Sequence, residues 1–115
     1  MRSVLIIIRS DPRLNGRPAE AIRMAAGIAV WRKARVQVLL QGASAEVLGE
    51  FADELVQGDT ITRFLPMLVE SSGPVLVDAG LRQCDVAEPA TVPSREVTAE
   101  EVATIASNCD VVFTY

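Results

Sequence analysis

Apolar residues along this chain occur in two alternating patterns, short unbroken runs and longer stretches with helical spacing. The unbroken runs are rich in valine, isoleucine and leucine, which is typical of strands covered on both faces of a parallel sheet. They predict strands at residues 4–8, 36–40, 74–78 and 110–115, with a short additional strand at 95–98. Each predicted strand begins or ends next to a polar, turn-forming segment.

The stretches between the runs predict helices. Residues 17–33 carry alanine and isoleucine side chains on one face at helical spacing, with Pro18 tolerated in the first turn. Residues 44–58 are predicted to form an amphipathic helix that Ser44 caps, with Val47, Leu48, Phe51 and Leu55 on its apolar side. The small residues of the first helix predict that it lies close against the sheet.

Two further helical patterns complete the chain. Residues 59–73 have helical spacing, and we expect Pro66 to kink this helix or to move its start. Thr98 and Glu101 form a capping-box pattern at the start of the last helix. Strands that alternate with helices predict a three-layer α/β/α fold with a mostly parallel sheet of about five strands.

Length and composition restrict the class of protein. The 115 residues predict a single domain over 1–115, and 50% hydrophobic residues predict a well-formed core. The net charge of −4 argues against a nucleic-acid partner. Apolar runs are shorter than the roughly 18–20 residues that cross a bilayer, and no signal-peptide pattern begins the chain. We therefore expect a cytoplasmic protein with no membrane partner.

The chain contains no histidine and only two cysteines. A Ser-His-Asp or Cys-His catalytic pair is therefore excluded within this chain, and so is a usual structural zinc site. We expect no metal site and no cofactor. Any chemistry must use a thiol, carboxylates, arginines or backbone amides.

Ligands of parallel α/β sheets bind outside the carboxyl ends of the strands, which selects three loops of this chain. The first loop is rich in polar and charged side chains before a helix N-terminus, an arrangement that attracts anions. Its candidate ligand-binding residues are Arg9, Ser10, Asp11, Arg13 and Asn15. The competing interpretation is a solvated loop with an Asp-Pro turn and a capping Asn15. The second loop, which begins at Gln41, is explained as a turn and a cap.

The third loop contains Asp78, Arg82, Cys84 and Asp85. Arg82 is positioned in sequence to lower the pKa of the Cys84 thiol, whereas the adjacent Asp85 raises it, so a reactive and an inert thiol both remain open. Asp78 and Arg82 are candidate ligand-binding residues, and Cys84 is the candidate catalytic residue. Cys109 precedes the last strand at the opposite edge of the sheet, and we interpret it as a core residue.

Several segments, in their order along the chain, resemble the DsrE/DsrF/TusD-like (DsrEFH-like) family of sulfur-relay proteins. "VLIIIRSDP" with "NGRPAEAIRMAAGIAV" is similar to the family's opening strand, polar loop and alanine-rich helix. "VQVLLQGAS" looks like its second strand, "PVLVDAGLRQCDV" like its cysteine-bearing segment, and "EEVATIASNCDVVFTY" like its ending. The resemblance covers approximately residues 4–115.

The resemblance implies a DsrEFH-like fold and a homo-oligomer, a trimer or hexamer, or an assembly with homologous subunits. It also implies sulfur relay, in which a cysteine carries a persulfide between a sulfur donor and an acceptor protein. The family's cysteine position falls on Leu76 or Gly80 here, so the chain resembles a divergent member that lacks this cysteine. Three hypotheses follow. The first is a non-catalytic or ligand-binding subunit, the second a persulfide carrier that uses Cys84, and the third an anion or nucleotide binder at the first loop.

Overall fold

The computed structural model describes residues 2–81 and 92–115. Within these residues five strands form one sheet, in the order β4-β3-β2-β1-β5, and every pairing is parallel. The strands are β1 Arg2–Ile8, β2 Ala34–Leu40, β3 Val75–Asp78, β4 Ser94–Val97 and β5 Val111–Thr114. The α-helices are α1 Arg17–Trp31, α2 Gly58–Ser72 and α3 Ala99–Ser107. The predicted α/β class, the parallel sheet and the strand number are confirmed.

The helices lie on both faces of the sheet and form the predicted three layers. Side chains of successive strand residues point to opposite faces, so β1 contributes Ile6 to one face and Leu5 to the other. The Ile6 face packs against α1 and α2 in the larger core cluster. The Leu5 face packs against α3 in a smaller cluster with Leu39, Leu76 and Val97. The two faces therefore have cores of very different size.

Helix α1 is held against the sheet by small side chains. Its buried residues include Ala19, Ile22, Ala26 and Ala29, the face that the helical spacing predicts. Alanine side chains allow a close approach of the helix to the strands, and they lose no side-chain entropy on burial. The helix ends where Arg32 adopts a left-handed backbone conformation, with φ of 58°.

The segment predicted as a helix at residues 44–58 has a different structure. It forms two short 3₁₀ helices, Gly42–Leu48 and Ala52–Glu54, and the intervening Gly49 is extended. Glycine is a poor helix residue because it loses the most backbone entropy on ordering. On the predicted apolar side, Val47 and Leu48 are fully buried and Leu55 packs against the core, whereas the prediction for Phe51 is wrong because its side chain is 64% exposed. Ser44 lies inside the first 3₁₀ helix and caps no α-helix.

Pro66 does not move the start of its helix, and the kink expected there stays a prediction. Helix α2 begins at Gly58 and continues through Pro66 to Ser72. Pro66 lies on the exposed side of the helix, where water can bind the Thr62 carbonyl oxygen that lacks its usual N–H partner. Gly58 is required at the helix start, because a Cβ there would overlap the carbonyl oxygens of Ala52 and Asp53.

Helix α3 begins with the predicted capping box. The Glu101 N–H donates to Thr98 Oγ1 at 3.2 Å, and the Thr98 N–H donates to Glu101 Oε1 at 3.2 Å. Both bonds satisfy backbone donors that the first helical turn leaves without partners. Across the described ranges, no helix combines the length and apolarity needed to cross a bilayer.

Candidate functional site

The carboxyl ends of β1, β2 and β3 lie side by side at one edge of the sheet, which we call the carboxyl edge. β2 lies between β1 and β3, with Ile8 opposite Leu40 and Leu40 opposite Val77. The next residue of each strand is polar, so the parallel register brings Arg9, Gln41 and Asp78 into one row. Two of these residues, Arg9 and Asp78, belong to the predicted site, and the structure connects them through Gln41.

Hydrogen bonds join the three side chains of this row. Arg9 Nε donates to Gln41 Oε1 at 2.7 Å, and Gln41 Nε2 donates to Asp78 Oδ2 at 2.9 Å. The other carboxylate oxygen, Asp78 Oδ1, accepts a hydrogen bond from the Gly80 N–H at 3.0 Å. The Gln41 side-chain amide thus links the Arg9 guanidinium to the Asp78 carboxylate, because its oxygen accepts one hydrogen bond and its nitrogen donates the other.

The inner part of the row is buried. Gln41 is 6% and Asp78 is 4% exposed, and polar groups at this depth need partners because an unpaired one costs about 1–3 kcal/mol. The row supplies them: among the described residues, no buried side-chain nitrogen or oxygen lacks a hydrogen-bond partner. Hydrogen bonds to charged groups are stronger than neutral ones, so this row holds its side chains in fixed positions.

Arg9 forms the exposed end of the row. Its Nε atom is bonded to Gln41, and its two terminal nitrogens have no hydrogen-bond partner within residues 2–81 and 92–115. A guanidinium held in this way presents its two terminal nitrogens as a ready site for carboxylate, phosphate or sulfate oxygens. The arrangement is therefore suited to anion binding.

The other polar residues of the first loop form hydrogen bonds within the protein. Arg13 Nε and an Arg13 terminal nitrogen donate to the two Asp11 oxygens at 3.0 and 2.9 Å. These side-chain bonds, together with the Arg13 N–H, hold the pKa of Asp11 below its ordinary value. Asn15 Oδ1 accepts a hydrogen bond from the Arg17 N–H in the first turn of α1. The Ser10 N–H donates to the Tyr115 carbonyl oxygen at 3.2 Å.

Ser44 stabilises the carboxyl edge through hydrogen bonds to the ends of two strands. Its side chain is fully buried, and its hydroxyl lies 2.6 Å from the Ile8 carbonyl oxygen and 2.8 Å from that of Gln41. The Gln41 N–H also donates to the Ile8 carbonyl oxygen, at 3.0 Å. These contacts fix the turns that carry Arg9 and Gln41 relative to each other.

Of the two cysteines, the structure describes only Cys109. Cys84 and Arg82 lie outside the described residues, so their predicted roles stay predictions. Cys109 lies at the opposite edge of the sheet and packs against the smaller core cluster, as its interpretation as a core residue predicts. Burial, and then the Asp110 charge, raise the pKa of the Cys109 thiol, which keeps it protonated and unreactive at neutral pH.

Gln41 is the site residue that the sequence interpretation missed. From the sequence, the loop that begins at Gln41 is explained as a turn and a cap, and no chemistry is predicted there. A signal was nevertheless present in the sequence. Each of the first three apolar runs has a polar residue either as its last residue or immediately after it, and these residues are Arg9, Gln41 and Asp78. Within the described ranges, no three carboxylate or thiol side chains lie close enough to hold a metal ion.

Comparison with known proteins defines the fold. No known protein family and no curated protein matches the sequence. The structure is similar to the crystal structure of ychN protein from E. coli, with a TM-score of 0.79 and 16% sequence identity. The match covers 100% of both chains, and that protein has a DsrE-like fold. The fold of this chain is therefore DsrE-like.

Proposed function

We propose that this chain is a ligand-binding, DsrE-like subunit that takes a small oxyanion at Arg9. The observation that carries the proposal is the row of Arg9, Gln41 and Asp78 at the carboxyl edge, the edge where parallel α/β sheets bind ligands. Oxyanions of sulfur fit this site by chemistry, since sulfate and thiosulfate present several oxygens to a guanidinium. The resemblance to sulfur-relay proteins supports the same class of ligand.

Each residue of the row has its own role in this proposal. Arg9 binds the anion through its terminal nitrogens. Gln41 holds the guanidinium through Nε and leaves those nitrogens facing outward. Asp78 accepts from the Gln41 amide, so it orients Gln41 without meeting the anion. Because the three groups are positioned before the ligand arrives, little side-chain entropy is lost on binding.

Replacing Arg9 by glutamine is expected to weaken thiosulfate and sulfate binding by about tenfold or more. The variant loses two charge-assisted hydrogen bonds to the anion. Such a bond contributes about 1.5–3 kcal/mol, and exposure of Arg9 to solvent reduces this contribution. Binding is measured by calorimetry or by amide shifts in NMR titrations at constant ionic strength.

The matched control for this variant is Arg23→Gln, which removes one positive charge from the exposed face of α1, where Arg23 pairs with Glu20. This control should bind the anion as the unmodified protein does. Equal affinity in the Arg9 variant and the unmodified protein would reject Arg9 as the anion ligand. Equal weakening in both variants would mean that net charge alone attracts the anion.

We also propose that the subunit forms a homo-oligomer, a trimer or hexamer, or associates with homologous subunits. Large apolar side chains lie exposed on the described surface, among them Leu14 at 78%, Trp31 at 69% and Phe51 at 64%. Such exposure is common at interfaces. For the homo-oligomer, light scattering at two concentrations should give a mass of at least three chains, and a particle that stays at 12.4 kDa would refute it.

The sulfur-carrier hypothesis stays a prediction for Cys84. In that reaction the Cys84 thiolate attacks the outer sulfur of a donor persulfide, a new S–S bond forms, and the donor leaves as a thiolate. Cys109 does not compete for this role, because its pKa is raised and it lies at the other edge. Nucleotide binding at the first loop likewise stays a prediction, without a phosphate-binding motif to support it.

A further inference from the structure

The two outermost strands of the sheet differ in chemistry. β4 lies at one side of the sheet, and its exposed residues are Ser94, Arg95 and Glu96. β5 lies at the other side, where Val112 and Phe113 are each 43% exposed and no residue of the strand is charged. Charged side chains on an outermost strand oppose its pairing with another strand. β5 lacks this protection, and we call its outer side the β5 edge.

The backbone of β5 has hydrogen-bonding groups that point away from the sheet. Tyr115, just after the strand, directs both of its backbone groups to β1. Its N–H donates to the Ile7 carbonyl oxygen at 2.8 Å, and its carbonyl oxygen accepts from the Arg9 N–H at 2.7 Å. Backbone groups of successive strand residues point to opposite sides, so those of Val112 and Thr114 point outward. Within residues 2–81 and 92–115, β5 pairs with β1 alone.

One side of helix α1 continues the β5 edge. Arg17, Met24 and Trp31 are seven residues apart along the helix, so they lie on the same side of it. That side faces β5, because the Arg17 guanidinium lies 5.9 Å from the centre of the Tyr115 ring and the Tyr115 hydroxyl lies 3.2 Å from Met24 Sδ. Trp31, at the amino end of β5, is 69% exposed. The Phe113 side chain lies on the same face of the sheet, because its register partner in β1 belongs to the larger core cluster.

We propose that the β5 edge binds the β5 edge of a second copy of this chain, antiparallel to it about a two-fold axis at Phe113. In this register Val112 of each copy lies opposite Thr114 of the other, and the two residues exchange both of their backbone hydrogen bonds. Every outward-pointing backbone group of the strand therefore obtains a partner. Phe113 faces its own counterpart across the axis, in the closer kind of antiparallel pair, which favours contact between two aromatic rings. A surface that complements itself in this way fits a second copy.

Charge and area also fit a second copy. The antiparallel arrangement brings Arg17 of one copy to the end of the pair where Asp110 and Trp31 of the other copy lie. Neither Arg17 nor Asp110 forms an ion pair with the described residues, and a guanidinium is attracted by both a carboxylate and an indole face. The exposed parts of Trp31, Phe113 and Val112, with the strand backbone, bury roughly 1,000 Å² over the two copies, which is the lower limit for a specific interface.

This inference rests on the proposed homo-oligomer and identifies one of its contacts. An interface near the lower size limit is expected to act together with other interfaces of the same assembly. A hexamer of three-fold and two-fold symmetry contains such a two-fold contact, whereas a closed trimer has no two-fold axis. The inference therefore favours the hexamer over the trimer.

Disulfide cross-linking tests the register of this contact. In a background with Cys84→Ala and Cys109→Ala, Phe113→Cys should form an intermolecular disulfide under mild oxidation. The two Cα atoms of such an antiparallel pair are about 4.5 Å apart, which is within the range of disulfide geometry. Val112→Cys in the same background is the matched control, because its counterpart lies two residues further along the strand, more than about 7 Å away. Non-reducing gel electrophoresis should show linked chains for position 113 and not for position 112.

Light scattering tests the same contact without a disulfide. Phe113→Asp places two like charges at the axis and should halve the mass of the oligomer, whereas Ser94→Asp, on the outermost strand β4, should leave the mass unchanged. An unchanged mass for Phe113→Asp, or equal cross-linking at positions 112 and 113, would overturn this inference while the homo-oligomer proposal stands. A mass of three chains for the unmodified protein would have the same consequence. A particle of 12.4 kDa for the unmodified protein would overturn both proposals.

Discussion

Replacement of Asp78 by alanine is expected to lower the free energy of unfolding by about 2–4 kcal/mol. Asp78 is 4% exposed and accepts hydrogen bonds from Gln41 Nε2 and from the Gly80 N–H. Truncation leaves the Gln41 donor, buried at 6% exposure, without its acceptor, and the alanine cannot replace it. Urea unfolding followed by circular dichroism measures the loss as a shift in the midpoint at unchanged slope.

The matched variant Asp78→Asn separates lost hydrogen bonds from lost charge. Asparagine keeps one acceptor oxygen in a side chain of the same shape, so we expect a smaller loss, about 1 kcal/mol. Asp11→Ala serves as the control, because Asp11 is only partly buried and its partner Arg13 is mostly in water, where such pairs contribute about 0–1 kcal/mol. If Asp78→Ala and Asp11→Ala shift the midpoint equally, the row has no special structural role.

The same Asp78 variants also test how the row acts on the anion site. Asp78 reaches Arg9 only through Gln41, so its loss should weaken oxyanion binding without removing a ligand contact. Asp78→Asn should restore part of the affinity, because its side-chain oxygen can still accept from Gln41. A purely structural role would change stability but leave the affinity of the folded protein unaltered.

The order of elements could be predicted from sequence because β1, β2, β3 and β5 each contain a run dominated by apolar residues. Such runs depend only on local composition, and β1 and β2 appear within two residues of their predicted bounds. The capping box of Thr98 and Glu101 is equally local, since both of its bonds span three residues. Features set within one turn or one strand are therefore accessible to sequence analysis.

Features that depend on tertiary contacts were not accessible in the same way. Residues 44–58 have an amphipathic pattern, yet Gly49 is extended and Gly58 lies against the carbonyl oxygens of Ala52 and Asp53. Tight packing of this segment against the start of α2 overrides its helical spacing. Pro66 is a second example, because α2 continues through it, and its exposed position, which lets water reach the Thr62 carbonyl oxygen, is set by the tertiary structure.

The residues of the candidate site also differ in whether the sequence alone could predict them. Arg9 and Asp78 were predicted from their position after parallel strands, which is a rule about the sheet as a whole. Gln41 was missed because its importance comes from the register, in which it lies between two charged residues that are far from it in sequence. A polar residue at the same position after each of three neighbouring strands is the pattern that would have identified it.

Leu5→Ala is expected to lower the free energy of unfolding by about 3–4 kcal/mol and to loosen α3 in particular. Leu5 is fully buried, and it is one of only four buried side chains in the smaller cluster of the described residues, against which α3 packs. A cavity there removes a large share of the contacts that hold this nine-residue helix. Ile6→Ala, on the other face of the same strand, is the matched control. Its larger cluster contains α1 and α2 but not α3.

Hydrogen exchange distinguishes the two variants, because it reports opening of each helix separately. Leu5→Ala should speed amide exchange in α3 more than in α1, whereas Ile6→Ala should speed exchange in α1 without a preferential effect on α3. Both should shift the urea midpoint by similar amounts. The same exchange pattern in both variants, or a loss below about 1 kcal/mol for Leu5→Ala, would mean that the smaller cluster does not hold α3 on its own.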